Sequence, residues 1–522
     1  MVSSSSSPPE KKTSPRKSKT LLIRLFLWLK KFLDERKLPY VANQACRVYF
    51  GKEKASRRKC QSILQTRIEL DVQQLRHFLQ TAIGDRLLAW LSPLFHFPDH
   101  PDSKDGLRQL FLEMAGDQKG ISFLQLLHLV PEQTQINLET LMARATQLES
   151  LVQKTEKLLK KVRAIADANV QETTMANFAN LPDLQQRGSH EVLVNELTDE
   201  HETLYVQPTA LTENTRIIVL SHGLGAQPQD LLDFGEHFAS HGYFVVIPHH
   251  AGSSGDHLKL MLQGEVDEVF PYAEFGDRPR RISELLNWLM LHNYEKFGGK
   301  LNVQNVGIMG HSFGAYTALA VAGAKINFDH LELACGDTSA ADPNISLLLQ
   351  CQALGIRENF QQHQSPHDPR ISCICVWDFV GSAIFGEQGL ASVNLPVMAI
   401  AGSHDMTTPF ALEQLRLFQW LRSPETYLVV MEGKAHVQNL RQLTKKMGLK
   451  ISVSSPRKSQ SQQSQFATKI QALGLAFFNQ YLHQQPNAET YLTASYGQYL
   501  TRSPHKISLL NSQDKLALVD IA

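Results

Sequence analysis

The sequence predicts an α/β fold in which a mostly parallel sheet of about eight strands, flanked by helices, follows an all-helical N-terminal domain. Apolar strand patterns alternate with helical patterns over residues 190–510, whereas residues 40–168 carry helical periodicity alone. The leading strands pair like a hairpin, and the later ones are separated by helices, as crossovers in a parallel sheet require. The predicted strands are Val192–Leu197, Thr203–Val206, Arg216–Leu220, Phe244–Ile247, Val306–Met309, Ile371–Val376, Pro396–Ala401 and Thr426–Met431.

A G-x-S-x-G motif, Gly310-His311-Ser312-Phe313-Gly314, lies between one of these strands and a helix rich in alanine and leucine. This context is that of the nucleophile elbow in the α/β-hydrolase fold, a turn so sharp that Gly310 and Gly314 must lack side chains. The turn lifts the Ser312 hydroxyl clear of the sheet, at the positive end of a helix. We therefore predict that Ser312 is a catalytic nucleophile.

Ser312 needs a general base, and in this fold the base is a histidine that follows the acid in the chain. His436 fits this order, because it lies in a turn directly after the strand Thr426–Met431. Two carboxylates are candidates for the acid: Asp405 follows the strand immediately before that one, and Asp378 ends the strand before that. We favour Asp405, because its strand directly precedes the histidine-bearing strand. Asp378 remains the alternative acid.

The loop His222-Gly223-Leu224-Gly225 follows the strand Arg216–Leu220, at the place where this fold supplies a donor for an oxyanion. The tetrahedral intermediate of acyl transfer carries a negative oxygen, which fixed N–H groups stabilise. We expect the donors to be the backbone N–H groups of Leu224 and Phe313. The glycines Gly223 and Gly225 shape the loop, as Gly310 and Gly314 shape the elbow.

Composition and residue spacing limit the other classes of function. The chain of 522 residues has a formal net charge of +1, which offers no global electrostatic basis for nucleic-acid binding. The six cysteines form no C-x-x-C pair and predict no disulfide framework, and Cys373 and Cys375 are expected to be buried as small apolar residues. His249-His250 and His257 lack a supporting ligand set, so they are interpreted as pocket-rim or capping residues, and no metal or cofactor is expected.

Four segments do not fit the regular pattern of the two predicted domains. Residues 1–19 are rich in Ser, Pro and Lys and are predicted to be a disordered basic tail. Residues 20–38 are predicted to form an amphipathic helix that is too short to span a bilayer. That helix either contacts a membrane surface or packs on the protein itself, and a degenerate signal sequence interrupted by Arg24 stays open. A cytoplasmic or peripheral-membrane location is expected, with export not ruled out. Insertions are predicted at 326–370 and 452–466, and the oligomeric state is not specified.

Three segments resemble the platelet-activating-factor acetylhydrolase and dienelactone-hydrolase branch of the α/β-hydrolases: Ile218–Gly225, Phe238–Val246 and Gly310–Gly314. Nearly the whole chain is similar to a largely uncharacterised cyanobacterial α/β-hydrolase family with a helical N-terminal domain, through the later segments Phe385–Ser392, Ala476–Phe478 and Tyr491–Thr493. The first resemblance implies Asp378 as the acid, and the second implies Asp405. The pair His436-Val437 departs from the family's usual His-aromatic pair.

The resemblance implies hydrolysis of an ester, with a lipid or lipid-like acyl group as substrate. Together with the motifs, it predicts a serine esterase or lipase that works through an acyl-enzyme. Two alternatives remain at this point. One is a non-catalytic, membrane-associated binding or scaffold protein built on a hydrolase fold, and the other is a hydrolase of amides or thioesters, which the same residues would serve.

Overall fold

The computed structural model describes residues 67–69, 71–115, 121–122, 134–197, 202–336, 344–358, 367–436, 450–452, 459–503 and 505–518. The predicted basic tail and amphipathic helix, residues 1–19 and 20–38, lie outside the described residues. Its strands are β1 (Arg67–Glu69), β2 (Phe95–His96), β3 (Ile121–Ser122), β4 (Gln135–Ile136), β5 (Val192–Leu197), β6 (Thr203–Pro208), β7 (Thr215–Ser221), β8 (Phe244–Pro248), β9 (Leu301–His311), β10 (Ile371–Trp377), β11 (Val397–Gly402), β12 (Thr426–Met431), β13 (Lys450–Ser452) and β14 (Ile507–Asn511).

A nine-stranded sheet lies at the centre of the described chain and confirms the predicted α/β-hydrolase fold. Its order is β14-β12-β11-β10-β9-β7-β8-β6-β5. Neighbours from β12 through to β8 are parallel, whereas β14, β6 and β5 join the two edges in antiparallel pairs. The parallel strands therefore end at one edge of the sheet, and the loops that follow them meet there.

All eight predicted strands form, but the ninth, β14, was not predicted. It pairs antiparallel with β12 and brings Asn511 opposite Tyr427. Its five residues lie in the Tyr-rich C-terminal segment, where a short apolar run without alternation does not distinguish a strand from a buried turn of helix. The strand matters for the site, because it covers the outer edge of the strand that leads to His436.

Helices pack on both faces of the sheet. They are α1 (Val72–Gln80), α2 (Ala82–Leu91), α3 (Ser103–Ala115), α4 (Leu138–Ala168), α5 (Glu172–Asn177), α6 (Leu232–Ser240), α7 (Gly255–Gln263), α8 (Glu274–Phe297), α9 (Phe313–Val321), α10 (Phe328–Gly336), α11 (Leu347–Gln350), α12 (Ser382–Leu390), α13 (Gln414–Trp420), α14 (Ser459–Phe478), α15 (Ala494–Leu500) and α16 (Lys515–Leu518). Successive side chains of a strand point to opposite faces. Ile308 of β9 accordingly packs in the core beneath α8 and α9, whereas Met309 packs with α6 and α14.

The N-terminal region is mainly helical but not all-helical, which corrects the prediction. Strands β2 and β4 pair antiparallel, and β1 lies between β3 and β13 in a second small sheet. These strands are only two or three residues long, below the length at which alternation of apolar residues is visible in a sequence. The region contacts the rest of the protein directly, because Arg163 of α4 pairs with Glu432 at 2.7 Å.

A disulfide between Cys335 and Cys351 crosses the first predicted insertion, residues 326–370, with a Cα–Cα distance of 5.8 Å. The cysteine spacing gave no sign of this bond, and the prediction that the cysteines form no disulfide framework did not anticipate it. Cys373 and Cys375 are free and buried, as predicted. The insertion is also anchored by the buried carboxylate of Glu413, which accepts hydrogen bonds from side chains on the insertion, namely Asn344, Ser346 and Gln350.

The second predicted insertion, residues 452–466, is partly helical. Helix α14 begins at Ser459, inside the segment predicted to be an insertion. The early turns are Ser- and Gln-rich and carry no apolar stripe, and glutamine is nevertheless a good helix former. The second half of α14 is buried against the sheet and stabilises the helix. The polar first turns extend it, although the apolar pattern does not predict them.

His237 of α6 makes stability depend on pH. Burial lowers the pKa of this side chain from 6.5 to about 4, aided by the nearby charges of His241 and Arg187. Above pH 6.5 the ring is neutral in both the folded and unfolded chains. As the pH falls from about 6.5 to about 4, only the unfolded chain takes up the proton, so the free energy of unfolding falls, by about 3 kcal/mol in all. Urea unfolding at several pH values measures this slope, and His237→Asn should flatten it; an unchanged slope would contradict the assignment.

Candidate active site

Ser312 lies in a strained turn between β9 and α9. Its backbone φ is 54°, a left-handed value that is rare for a residue with a side chain. A Cβ atom on Gly310 would lie 2.2 Å from the carbonyl oxygen of Gly314, and one on Gly314 would lie 2.0 Å from that of Ser221. Neither position has space for a side chain, which is the physical reason for the glycines of the motif. The turn places the Ser312 side chain at the carboxyl edge of the sheet.

The structure brings Ser312, His436 and Asp405 into one hydrogen-bonded chain. His436 Nε2 lies 3.0 Å from Ser312 Oγ, and His436 Nδ1 lies 2.8 Å from Asp405 Oδ2. The three residues follow β9, β12 and β11, whose carboxyl ends share one edge of the sheet. This is the geometry in which a histidine takes the proton of a serine while a carboxylate fixes its other nitrogen.

Asp405 is held firmly in its orientation. The backbone N–H groups of Thr407 and Thr408 both donate to its Oδ1 at 2.8 Å, and the Thr408 hydroxyl donates to its Oδ2 at 2.7 Å. Gln414 Nε2 in turn donates to the Thr408 hydroxyl at 3.1 Å. Because donors surround the carboxylate, its Oδ2 is left facing His436 as an acceptor.

Asp378, the alternative acid, lies at the same edge but is engaged elsewhere. Its carboxylate is fully buried, forms an ion pair with the Lys434 ammonium, and lies 3.5 Å from His311 Nε2. Burial by itself would raise the pKa of Asp378, but the Lys434 charge and the His311 hydrogen bond outweigh it and lower the pKa. His436 therefore meets Asp405 and not Asp378. Lys434, two residues before His436, was not singled out by sequence, because nothing in its neighbours marks a lysine that neutralises a buried acid.

The loop after β7 contacts the elbow closely. A Cβ atom on Gly223 would lie 3.3 Å from Ser312 Cβ, so the glycine lets the loop approach the nucleophile. Gly225 has a φ of 69° and donates its N–H to the Ser253 carbonyl at 2.9 Å. Phe313 is the first residue of α9, and the first N–H groups of a helix have no partner within the helix. The two N–H groups expected as oxyanion donors, those of Leu224 and Phe313, thus belong to segments on either side of Ser312.

His222 fixes the peptide that carries the Leu224 N–H. Its Nε2 accepts a hydrogen bond from the backbone N–H of His250 at 3.1 Å, so the ring proton is on Nδ1. Nδ1 then donates to the Gly223 carbonyl at 2.9 Å, and that carbonyl shares its peptide group with the Leu224 N–H. Burial, and the charge of Arg278, lower the pKa of His222 well below 6.5, so the ring stays neutral in the folded protein.

The other histidines near this edge have structural contacts. His250 is fully buried, which corrects its interpretation as a pocket-rim residue, and its Nε2 lies 2.9 Å from Ser221 Oγ. His249 Nδ1 lies 2.9 Å from Glu202 Oε2, and His257 follows Ser254, the residue that caps α7. Sequence did not separate His250 from its neighbour His249, because both follow the same strand.

One group in the described residues has metal-ligating side chains close together. Ligand atoms of His311, Asp378 and His436 lie within 4.8 Å of one another. His436 is already bonded to Ser312 and Asp405, and the Lys434 ammonium neutralises Asp378. A second cation would have to displace this ammonium, so the donor set suits the hydrogen-bonded chain better than a metal ion.

A polar cavity of about 400 Å³ lies away from these residues, between the end of α4 and the strand β14. Its lining includes Asn169, Gln171, Ser495 and Asp514 and none of the residues around Ser312. This cavity therefore does not mark the candidate site around Ser312. The strained turn at Ser312 and the hydrogen-bonded chain through His436 to Asp405 mark it instead.

Two comparisons with known proteins bear on this geometry. A family model described as "Alpha/beta hydrolase of unknown function (DUF1400)" matches residues 29–138, in the N-terminal part of the chain and before the sheet. No curated protein matches the sequence. The match lies outside the sheet, and the nine-stranded sheet itself has the α/β-hydrolase fold that the family's description names.

Proposed function

We propose that this protein is a serine hydrolase that cleaves carboxylic esters, with lipid or lipid-like acyl esters as its substrates. The observation that carries the proposal is the chain from Ser312 Oγ through His436 to Asp405, with distances of 3.0 and 2.8 Å. The strained φ of Ser312 supports it, because such strain concentrates at functional sites.

In this mechanism Ser312 Oγ attacks the ester carbonyl carbon while His436 Nε2 takes the hydroxyl proton. The imidazolium that forms keeps its Nδ1–H on Asp405, whose negative charge stabilises it. The carbon–oxygen bond to the leaving alcohol then breaks, and the alcohol oxygen takes the proton from Nε2. Water, deprotonated by the same nitrogen, then attacks the acyl carbon. The bond from that carbon to Ser312 Oγ breaks, Oγ takes the proton back from Nε2, and the acid is released.

The N–H groups of Leu224 and Phe313 hold the negative oxygen of the tetrahedral intermediate. Gly223 brings the first donor close to Ser312, and the start of α9 supplies the second. A donor of this kind is worth roughly 10²–10³ in kcat when it is removed from a serine hydrolase. Both donors are backbone groups, so no single side-chain substitution removes one without moving the chain.

An apolar substrate is supported by the resemblance to acetylhydrolases and by the surface beside the site. Met406 directly follows Asp405, and its side chain is 79% exposed, which is unusual for a large apolar residue. Leu224 of the oxyanion loop and Leu258, which lies beside Gly225, are both partly buried against the core. We infer that these side chains meet the acyl group of the ester.

The sequence favoured a cytoplasmic or peripheral-membrane location and left export open. We now propose export to an oxidising compartment, and we keep the proposed contact to a membrane surface through residues 20–38. The Cys335–Cys351 disulfide supports export, because such bonds persist outside reducing compartments. Within the part of the chain that the structure describes, no helix is both long and apolar enough to cross a bilayer. The membrane contact rests on sequence alone.

Labelling with a fluorophosphonate tests the catalytic proposal directly, since the probe reacts with an activated serine. We expect one labelled peptide, containing Ser312, in folded protein and none after denaturation. Hydrolysis of p-nitrophenyl acetate, butyrate, octanoate and palmitate then measures the acyl preference, and we expect kcat/KM to rise with chain length. Absence of both labelling and turnover would instead favour a non-catalytic binding or scaffold role, and cleavage of amides or thioesters in preference to esters would change the substrate class.

A further inference from the structure

Arg278 of α8 is a fully buried charged side chain that contacts both ends of the oxyanion loop. Its Nη1 donates to the His222 carbonyl at 2.9 Å, and its Nε donates to Ser253 Oγ at 2.9 Å. The backbone carbonyl of Ser253 in turn accepts a hydrogen bond from the Gly225 N–H at 2.9 Å. The loop that carries the Leu224 N–H is therefore tied to one guanidinium at its first residue and, through Ser253, at its last.

The same guanidinium also contacts the residue that supplies the second donor. Its central carbon lies 4.2 Å from the centroid of the Phe313 ring. A cation over an aromatic face at this distance is attracted to it, and a planar guanidinium stacks better than an ammonium. Arg278 thus contacts the loop after β7 through the His222 carbonyl and the start of α9 through the Phe313 ring.

Helix α8 is itself attached to the nucleophile helix. Pro279, the residue after Arg278, has no N–H to give to the Phe275 carbonyl one turn earlier. The Tyr316 hydroxyl on α9 donates to that carbonyl at 2.8 Å instead. This buried hydrogen bond ties the backbone of α8 next to Arg278 to α9, the helix that begins directly after Ser312.

Arg278 keeps its charge in this position. Burial lowers the pKa of its side chain to about 10, and the ion pair with Glu274 opposes that change, so the group is protonated at neutral pH. Glu274 is shared with Arg281, whose Nη1 lies 2.7 Å from it. Arg278 Nη2 is buried without a hydrogen-bond partner among the described residues. Two cations facing one carboxylate leave net positive charge beside the loop.

We propose that Arg278 is a positioning residue of the oxyanion hole, which holds the Leu224 and Phe313 N–H groups at the spacing that the tetrahedral intermediate requires. The inference rests on the proposed function and names the residue on which its transition-state stabilisation depends. Sequence gave no indication of it, because Arg278 is far from both motifs in the chain and lies in a charged helix segment.

Two variants test the proposal, with a matched control on the same helix. Arg278→Met removes the charge and the donors but keeps an unbranched chain. Arg278→Lys keeps the charge and an N–H donor group but loses the planar fork that reaches the His222 carbonyl, Ser253 and the Phe313 ring together. Arg280→Met changes an exposed arginine that pairs with Asp277 and Glu284. We expect Arg278→Met to lower kcat roughly 100-fold with KM changed less than about threefold, and Arg278→Lys to keep part of the activity. Inhibition by a trifluoromethyl ketone, which forms an oxyanion on Ser312, should weaken in parallel with kcat, and Arg280→Met should match the parent.

The outcomes separate this inference from the proposed function. If the parent neither hydrolyses esters nor reacts with a fluorophosphonate, both fail. If the parent is active and folded Arg278→Met keeps its kcat, or loses kcat while binding the trifluoromethyl ketone as tightly, the positioning role alone is wrong. If both Arg278 variants fail to fold by circular dichroism, Arg278 is a structural residue and the inference is likewise overturned.

Discussion

Replacing Ser312 by alanine is expected to lower kcat for a p-nitrophenyl ester by about a millionfold, the loss seen when a serine hydrolase loses its nucleophile. The hydroxyl oxygen forms the acyl bond, and nothing else at this position can, since His436 and Asp405 act only on the serine proton. Any hydrolysis by the variant that is still faster than the reaction in water would come from substrate binding and from the oxyanion donors. Steady-state and single-turnover assays over four or more decades of enzyme concentration measure the loss.

The matched control for this variant is Ser372→Ala. Ser372 lies near the start of β10, at the end of that strand opposite to Ser312, and its hydroxyl donates to the Arg370 carbonyl at 3.3 Å. It should leave kcat within about twofold of the parent, as expected for a surface change. A Ser312→Ala protein that folds and retains a tenth or more of the parent activity would show that hydrolysis proceeds without this serine.

Replacing Asp405 by asparagine should lower kcat by about 10⁴-fold, which corresponds to about 5.5 kcal/mol of transition-state stabilisation. The N–H groups of Thr407 and Thr408 point at one carboxylate oxygen and require an acceptor there, so an asparagine would place its NH₂ group towards His436. The amide would then donate to His436 Nδ1, and the ring proton would move to Nε2. In that tautomer the ring cannot accept the Ser312 proton.

The control for this prediction is Asp378→Asn, the alternative acid. It should leave kcat within about tenfold of the parent but should lower the free energy of unfolding by about 3–5 kcal/mol, because it leaves the Lys434 ammonium buried without its partner. The double variant Asp378→Asn with Lys434→Met should recover much of that stability. If Asp378→Asn lowers kcat more than Asp405→Asn does, the two carboxylates have the opposite roles.

Sequence predicted most of the sheet and the elbow because both are local. Gly310 and Gly314 fall within one five-residue motif that is visible in the sequence, and the strands before Ser312, Asp405 and His436 are continuous apolar runs. Only the contact that excludes a side chain at Gly310 is local, since Gly314 meets the Ser221 carbonyl of a neighbouring strand. The choice between Asp378 and Asp405 was not local. Both residues follow parallel strands, and they differ in which partner lies within hydrogen-bond distance.

The residues that sequence missed act across long separations in the chain. Lys434 neutralises an acid 56 residues earlier, and Arg278 donates to a carbonyl also 56 residues away. Neither has a neighbour in sequence that marks it, and a lysine or arginine is more often exposed than buried. The disulfide was not predicted either, because two cysteines 16 residues apart carry no signature of their pairing.

The small sheet in which β1 pairs with β13 joins residues nearly four hundred positions apart, on the segment that follows His436. Glu432, in the turn that carries His436, is held by Arg163 of the N-terminal region. A fragment that began at residue 190 would keep every proposed catalytic residue and still lose both supports. It would also expose the backbone edge of β13, a surface that promotes association between copies. The smallest piece of this chain that retains a well-placed histidine is therefore larger than the sheet itself.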